Sequence, residues 1–158
     1  MDLAQKKKAL RMLSYGLYVV TAREGEHCTA GTITWLSQSS FDPPLVMMGL
    51  QKKSSLHKAI AASRAFAVHI PGRSQKKLAT RFFQTAKHAA GTLGGYKFAP
   101  GATGSPILED VPAWFECRVV EEVRCGDHTI FVGQVVAAGT RREEEPLTLR
   151  EAGFSYGG

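Results

Sequence analysis

The clearest pattern of apolar and polar positions lies in the last third of the chain. Apolar side chains occupy every second position from Ala113 to Val119, which indicates a strand with one buried face. Gly126-Asp127 marks a turn, and the segment 129–138 is again rich in apolar and β-branched residues. Together these positions predict a long β-hairpin with a loop of a few residues.

Shorter strand-like segments lie along the rest of the chain. Pro43-Pro44 forces an extended entry into the apolar run that follows it. The polar residues 36–42 predict a connection, and residues 86–106, which contain five glycines and two prolines, predict a long loop. The predicted strands and extended pieces are 15–22, 27–35, 45–50, 65–70, 146–149 and 154–156.

Three short segments have the spacing of helices. The predicted helices are residues 2–13, with Leu3, Leu10 and Leu13 near one face; residues 55–63, capped by Ser54; and a helix that Ser74 can cap and that carries Leu78 and Phe82. Helices do not alternate regularly with strands. The pattern therefore predicts a mainly β fold of the α+β class, namely a small closed β-barrel with short flanking helices.

The composition is that of one folded domain, and the chain carries a net positive charge. The chain has 158 residues, of which 44% are hydrophobic and 22% charged, and these values argue against intrinsic disorder. Twenty basic and 14 acidic side chains give a net charge of +6. Such a surplus attracts an anionic partner, which is a nucleic acid, a membrane surface or a phosphorylated small molecule.

The cysteines and the hydropathy of the chain indicate the cellular compartment of the protein. The three cysteines have no C-x-x-C spacing, so we expect free thiols, no thiolate zinc site and a cytoplasmic location. The histidines show no metal-ligand spacing, and we expect no metal site. No apolar run approaches the ~18 residues of a spanning helix. Lys6 to Lys8 have no apolar stretch behind them, which argues against a signal peptide.

Two segments have the chemistry of a binding site. The run from Lys53 to His57 lies between a strand end and a helix start, where lysine, serine hydroxyls and free amides can bind a phosphate. The alternative is a capped helix with solvated lysines. The run from Thr32 to Ser40 is dense in hydroxyl and amide groups beside Trp35 and can bind a flat heteroaromatic ring. The alternative is a polar loop with Trp35 as a core anchor.

A third candidate is His128, which follows Gly126-Asp127 at the predicted hairpin tip. Its imidazole can titrate near neutral pH and donate to a substrate. The alternative is a turn in which Asp127 bonds its own backbone. The chain has no G-x-S-x-G nucleophile motif, no G-x-G-x-x-G after a strand and no P-loop.

In order and spacing, these segments resemble the flavin reductase-like family, whose fold is an FMN-binding split β-barrel. Trp35 and the run from Gln38 to Phe41 resemble the branch related to flavoredoxins, rubredoxin-fused reductases and the flavin reductase modules of flavodiiron proteins. The resemblance covers nearly all of residues 1–158, as a single domain. The matching segments are 15–21, 32–40, 42–46, 53–57, 66–70, 78–83, 104–108, 116–117 and 126–135.

The resemblance implies an FMN site in a homodimer, with the flavin at the subunit interface. The implied cofactor-binding residues are Thr32, Ile33, Thr34, Trp35, Leu36, Ser37 and Gln38 for the ring; Lys53, Ser54, Ser55 and His57 for the phosphate; and Phe82, Phe83 and Tyr156, which can come from the partner chain.

The implied activity is that of an NAD(P)H:flavin oxidoreductase. Hydride would pass from NADH or NADPH to FMN, and electrons would then pass to an acceptor such as a redox partner protein. His128 is the candidate for contacting the nicotinamide or the second substrate. One alternative is an FMN-containing electron carrier without NAD(P)H activity.

The other alternative is a basic β-barrel that binds nucleic acid, which needs several exposed aromatics along a basic groove. Trp114, Phe115 and Phe131 do not all lie on one face of the hairpin. We therefore expect neither a nucleic acid nor a membrane as partner.

Overall fold

The computed structural model describes residues 1–84, 86 and 88–158. Within these residues, seven strands form one antiparallel sheet and four short strands form another. This confirms the prediction of a mainly β fold with short flanking helices. The elements in chain order are α1 (Leu3–Leu10), β1 (Tyr18–Glu24), β2 (His27–Ile33), β3 (Leu36–Ser40), β4 (Leu45–Gln51), α2 (Ser55–Ser63), β5 (Ala65–Ile70), α3 (Lys76–Arg81), β6 (His88–Ala89), β7 (Thr92–Leu93), β8 (Tyr96–Pro100), β9 (Pro106–Leu108), β10 (Ala113–Val123) and β11 (His128–Thr140).

The large sheet has the strand order β2-β1-β5-β10-β11-β4-β3. β10 and β11 form the long hairpin predicted from the alternation, and two breaks in register between Glu116 and Glu121 bend it. The bent sheet surrounds a core in which Phe66 and Phe131 are fully buried. α2 packs against β1, β2 and β4 over this core. The result is a β-barrel with helical additions.

The polar residues 36–40 form the edge strand β3, so the prediction of a connection over 36–42 is wrong for this stretch. β3 pairs with β4, with Leu36 opposite Met48 and Ser37 opposite Met47. An edge strand is solvated along its free side, and its polar composition therefore resembles that of a loop.

Four short strands lie in and next to the segment 86–106, where the glycines and prolines predict a long loop. Gly94-Gly95 has φ values of 62° and 90° and makes the two-residue turn between β7 and β8. Leu93 is buried in a second apolar cluster, and Tyr96 and Phe98 pack against that cluster. Three of these strands, β6, β7 and β9, have only two or three residues, which is too few to give a periodic signal.

Of the three helices described, α2 matches its prediction and the other two differ. The Ser54 side chain caps α2. α1 is shorter than the predicted 2–13 and buries no residue, so its apolar face does not rest on the core. Ser74 does not cap α3, because its hydroxyl donates to Glu144 at 2.9 Å and the helix begins at Lys76. No described helix is long and apolar enough to cross a membrane.

A third apolar cluster anchors the C-terminal segment to the barrel. Leu147 and Leu149 are buried in it beside Leu17. Of the two extended pieces predicted here, 146–149 makes isolated bridges, and 154–156 has no regular structure. This cluster holds the chain up to residue 152 against the barrel and so determines the position at which residues 153–158 begin.

His69 joins the two sheets from a fully buried position on β5. Its Nδ1 lies 3.0 Å from the carbonyl oxygen of Val19, which can only accept, so Nδ1 carries the proton. Leu108 in β9 donates its N–H to Nε2 at 3.0 Å. The ring is therefore neutral with both nitrogens paired, and burial lowers the pKa of His69 from 6.5 to about 4.

We expect the free energy of unfolding to fall as the pH is lowered from 6.5 towards about 4. Over that range the unfolded chain binds a proton at His69 that the folded chain does not, and this difference corresponds to about 3 kcal/mol. Stability from this group is fully present above pH 6.5. Denaturant unfolding at a series of pH values measures the slope. A His69→Gln variant with the same slope as the parent would contradict the assignment.

Candidate functional site

A cavity of about 770 Å³ lies where β2, β4 and the N-terminus of α2 meet the C-terminal segment. Its volume is within the range of pockets that hold organic cofactors. Four stretches provide most of its wall: 30–35, 49–51, 53–56 and 154–156.

One part of the cavity wall is the N-terminus of α2. The Ser54 hydroxyl accepts a hydrogen bond from the His57 amide at 3.1 Å and donates one to the Gln51 carbonyl at 2.9 Å, so the helix cap already uses it. The amides of Ser55 and Leu56 belong to the first turn and have no acceptor within the helix. They form the positive end of the helix dipole, which attracts anions.

Two lysines add positive charge to this part of the wall. Lys53 and Lys58 both line the cavity, and neither is in any ion pair among the described residues. The Ser55 hydroxyl oxygen lies 3.5 Å from that of Thr29. The structure thus brings Lys53, Ser54 and Ser55 together at one place that favours an anion.

A second part of the wall contains two buried polar atoms without a partner. Thr34 Oγ1 and Trp35 Nε1 make no hydrogen bond within the described chain. Because buried polar groups are nearly always paired, these two atoms point to a ligand with polar edges. Thr32 differs, since its hydroxyl donates to the Ala79 carbonyl at 2.5 Å and its amide to the Phe82 carbonyl at 3.1 Å. Thr32 therefore fixes β2 against the end of α3.

The Trp35 ring lies over β4 between two other rings of the cavity wall. A Cβ on Gly49 would come within 3.1 Å of this ring, so glycine permits the close approach. The Trp35 centroid is 4.7 Å from that of His128 and 5.4 Å from that of Tyr156. His128 Nδ1 lies 2.8 Å from Asp127 Oδ1, and this hydrogen bond lowers the pKa of the Asp127 carboxyl. The imidazole is thus held in an aromatic wall by a carboxylate.

Phe82, Phe83 and Tyr156 line this cavity within a single chain. Phe82 is only 2% exposed, whereas Phe83 is 49% exposed and meets Phe154 edge-on at 5.1 Å between centroids. Each of the three rings therefore reaches the cavity from the chain's own elements.

The family model for the flavin reductase like domain matches residues 10–158. The chain belongs to the flavin reductase-like family. It is 32% identical over 154 residues to the NADH:FMN oxidoreductase of Rhodococcus qingshengii. The match covers 94% of this chain and 78% of that protein. It is also similar to the solved structure of the styrene monooxygenase flavin reductase from Pseudomonas putida S12, with a TM-score of 0.77, 30% identity and 90% of each chain covered.

Some relatives of this family are much longer than the chain. The diflavin flavoprotein A 1 of Synechocystis sp. is 30% identical over 139 residues. The match covers 87% of this chain and 24% of that protein. The chain thus spans about a quarter of the length of this relative.

Four residues that the family resemblance assigns to the cofactor do not line the cavity. The His57 ring is turned into the barrel, where Nε2 lies 2.8 Å from Thr129 Oγ1, and this corrects its assignment as a phosphate donor. The Leu36 side chain packs against the barrel core. Ser37 and Gln38 are exposed on the edge strand. Of the run from Thr32 to Gln38, residues 32–35 line the cavity and residues 36–38 do not.

Sequence reasoning missed several residues of the cavity wall, among them Lys58, Phe154 and Ser155. Lys58 lies three positions after Ser55 on α2, and residues at this spacing share one helix face. This spacing is the feature of the sequence from which Lys58 is predictable. Phe154 and Ser155 have no local signal. They line the cavity only because the third apolar cluster anchors the segment before them.

Proposed function

We propose that the chain is an FMN-binding, NAD(P)H-dependent flavin reductase. One observation carries the proposal: a single cavity combines the N-terminus of α2 and Lys53 with the unpaired polar atoms of Thr34 and Trp35. A phosphate joined to a flat ring with polar edges needs both features. The names of two relatives, NADH:FMN oxidoreductase and styrene monooxygenase flavin reductase, support the proposal.

The residues of the cavity fit the two ends of FMN. The amides of Ser55 and Leu56, with the Lys53 ammonium, would bind the phosphate. Thr34 Oγ1 and Trp35 Nε1 would pair with the edge of the ring. Bound flavin supplies the hydride chemistry, and the chain supplies binding, orientation and electrostatics.

Oxidation of NADH and NADPH by the purified protein with FMN tests the activity. We expect consumption of at least one nicotinamide cofactor that depends on both the protein and FMN. Binding of FMN without any consumption would favour the alternative of an electron carrier. The absence of FMN binding would contradict both.

We propose that His128 contacts the nicotinamide or the second substrate. Replacement by alanine is expected to lower kcat/KM for the nicotinamide cofactor about tenfold, the equivalent of one hydrogen bond of ~1.4 kcal/mol. The affinity for FMN should change little. Asp127→Asn, which keeps an acceptor for the ring N–H, is the matched control and should retain most of the activity. An unchanged kcat/KM in His128→Ala would contradict the role.

We propose that a second copy of the chain covers the outer face of β4, β10 and β11. The register places Val123 opposite Ile130 and Met47 opposite Val132. Met47, Val123 and Ile130 are each more than 40% exposed, and an exposed apolar stripe is typical of interaction surfaces. His128 lies two residues before Ile130 on the same face of β11, which puts the flavin cavity beside this interface.

Light scattering measures the oligomeric state directly. We expect a dimer mass for the parent and a monomer mass for Ile130→Glu, because a charge on the stripe opposes burial. Glu24→Lys, an exposed change at the end of β1 and outside this stripe, serves as the control and should remain dimeric. A monomer mass for the parent would contradict the dimer.

We propose that a separate redox protein accepts the electrons. The Pseudomonas putida relative is named as the flavin reductase of a styrene monooxygenase. Phe83 and Tyr156 are about half-exposed at the cavity, so an acceptor can reach the site from outside. We expect a styrene-oxidising oxygenase to turn over with this chain and a nicotinamide cofactor as its source of reduced flavin; no turnover would contradict the proposal.

A further inference from the structure

Lys52, the first residue after β4, is joined to the tip of the β10–β11 hairpin by two hydrogen bonds. Its Nζ donates to the Gly126 carbonyl at 2.7 Å, and its backbone N–H donates to the Asp127 carbonyl at 3.1 Å. The side chain is half-buried and does not line the cavity. The proposed function gives Lys52 no role, although its neighbour Lys53 is assigned to the phosphate.

These two hydrogen bonds end on the two residues that immediately precede His128. β11 begins at His128, which lies opposite Gln51, the last residue of β4. The bond from the Lys52 amide to Asp127 therefore adds one link beyond the end of this pairing, and the Lys52 ammonium holds the exposed turn next to it. Because the direction of a side chain follows its backbone, these contacts determine where the His128 ring points.

The residue on the other side of His128 is fixed within the barrel. Thr129 is fully buried, and its Oγ1 lies 2.8 Å from Nε2 of His57 on α2. The His57 ring also meets Phe131 edge-on at 5.1 Å between centroids. The chain after His128 is thus held by core packing, whereas the chain before it is held by Lys52 near the surface. Removal of the Lys52 side chain is therefore expected to free the turn without loosening the barrel.

The position of the His128 ring in the cavity wall depends on this turn. The ring lies beside Trp35, at 4.7 Å between centroids, and its Nδ1 is paired with Asp127 Oδ1 at 2.8 Å. Asp127 is itself exposed, so its carboxylate holds the ring only as firmly as the turn holds Asp127. A displacement of about 1 Å can lower the rate of an enzymatic step about 100-fold. Support of the turn therefore affects any reaction step in which His128 takes part.

We infer that Lys52 is a positioning residue that holds the His128 ring beside Trp35 in the cavity wall. The Lys52 ammonium and amide fix the turn, and the Asp127 carboxylate of that turn fixes the imidazole. The short segment 51–55 thus supports the proposed phosphate site on one side and His128 on the other. The effect on the reaction rests on the proposed role of His128, whereas the position of the ring can be measured without flavin or a nicotinamide cofactor.

The indole N–H signal of Trp35 in the full, ligand-free chain reports the position of the His128 ring, because an aromatic ring shifts the signals of its neighbours. His128→Ala should shift this signal, and Lys52→Met should shift it in the same direction. Lys52→Arg, which can still donate to the Gly126 carbonyl, should restore the parent position. In the His128→Ala background, Lys52→Met should shift it no further. A signal that stays at the parent position in Lys52→Met would overturn the inference.

Steady-state kinetics with FMN then link the position of the ring to the reaction. Lys52→Met should lower kcat/KM for the nicotinamide cofactor about three- to fivefold, which is less than the effect of His128→Ala because the imidazole is displaced rather than removed. In the His128→Ala background the same change should alter kcat/KM less than about twofold, since two residues that act as one unit are not additive. Lys97→Met, which removes an exposed lysine of β8, is the matched control and should match the parent.

Two kinetic results would overturn the inference. Equal losses of kcat/KM from Lys52→Met in the parent and in His128→Ala would mean that Lys52 acts independently of His128. A loss of FMN affinity in Lys52→Met that spares riboflavin would make Lys52 a phosphate ligand instead. If His128→Ala leaves kcat/KM unchanged, or if the parent binds no FMN, the proposed function is refuted at that point, and the Trp35 signal alone decides whether Lys52 positions the ring.

Discussion

Replacement of Lys53 by alanine is expected to weaken FMN binding about 10- to 100-fold. Hydrogen bonds to charged groups contribute about 1.5–3 kcal/mol, and 1.4 kcal/mol is one factor of ten. Lys53 lines the cavity beside the free amides of Ser55 and Leu56 and has no acidic partner among the described residues. Its ammonium is therefore available for a phosphate. Quenching of flavin fluorescence measures the dissociation constant.

Three controls separate a phosphate contact from a general charge effect. Lys8→Ala removes the same charge from the exposed helix α1 and should leave FMN affinity within about twofold, because exposed charges are screened over about 10 Å. Lys53→Arg keeps the charge and should retain most of the affinity. Riboflavin, which lacks the phosphate, should bind Lys53→Ala and the parent alike. Equal losses for FMN and riboflavin would contradict a phosphate contact.

Replacement of Glu116 by alanine is expected to lower the free energy of unfolding by about 3 kcal/mol, since unpaired buried donors cost about 1–3 kcal/mol each. Glu116 is 1% exposed on β10. Its carboxylate accepts from the Ala102 amide at 2.9 Å, the Thr103 amide at 2.8 Å and the Thr103 hydroxyl at 2.7 Å. Gly101 passes so close to this carboxylate that a side chain there would clash.

Denaturant unfolding measures the loss for Glu116→Ala against two other variants. Glu116→Gln keeps one acceptor oxygen and should lose less than the alanine variant. Glu121→Ala, an exposed change on the same strand, should stay within ~0.5 kcal/mol of the parent. FMN affinity of the folded Glu116→Ala protein should be unchanged, because Glu116 does not line the cavity. If Glu116→Ala lowered the free energy of unfolding by no more than Glu121→Ala does, the hydrogen bonds from residues 102 and 103 to Glu116 would not stabilise the fold as described.

The parts of the fold that sequence predicts are those with a repeated local signal. The alternation in β10 and the turn at Gly126-Asp127 define the hairpin without any knowledge of the rest of the chain. Ser54 and the apolar spacing behind it define α2 in the same way. β3 escapes prediction because its polar residues become a strand only through pairing with β4, which depends on distant residues.

The site shows the same division between local and distant causes. The segments that carry Lys53 to Ser55 and Thr32 to Trp35 are predictable, because helix caps and dense hydroxyl runs are local features. The helix cap alone does not show which side of α2 His57 lies on, and the helix places it on the buried side with Leu56 and Ile60. Lys58, three residues after Ser55 on the helix, lines the cavity together with Ser55.

The central claim is that the cavity between β2, β4 and α2 holds FMN, and the indole N–H signals of the two tryptophans test it most directly. Trp35 lines the cavity with its Nε1 unpaired, whereas Trp114 packs against the second apolar cluster. In a titration of isotope-labelled protein with FMN, we predict that one indole signal shifts strongly and that Trp35→Phe removes that same signal. A titration in which only the Trp114 signal moves, or neither does, would contradict the assignment of this cavity to the flavin.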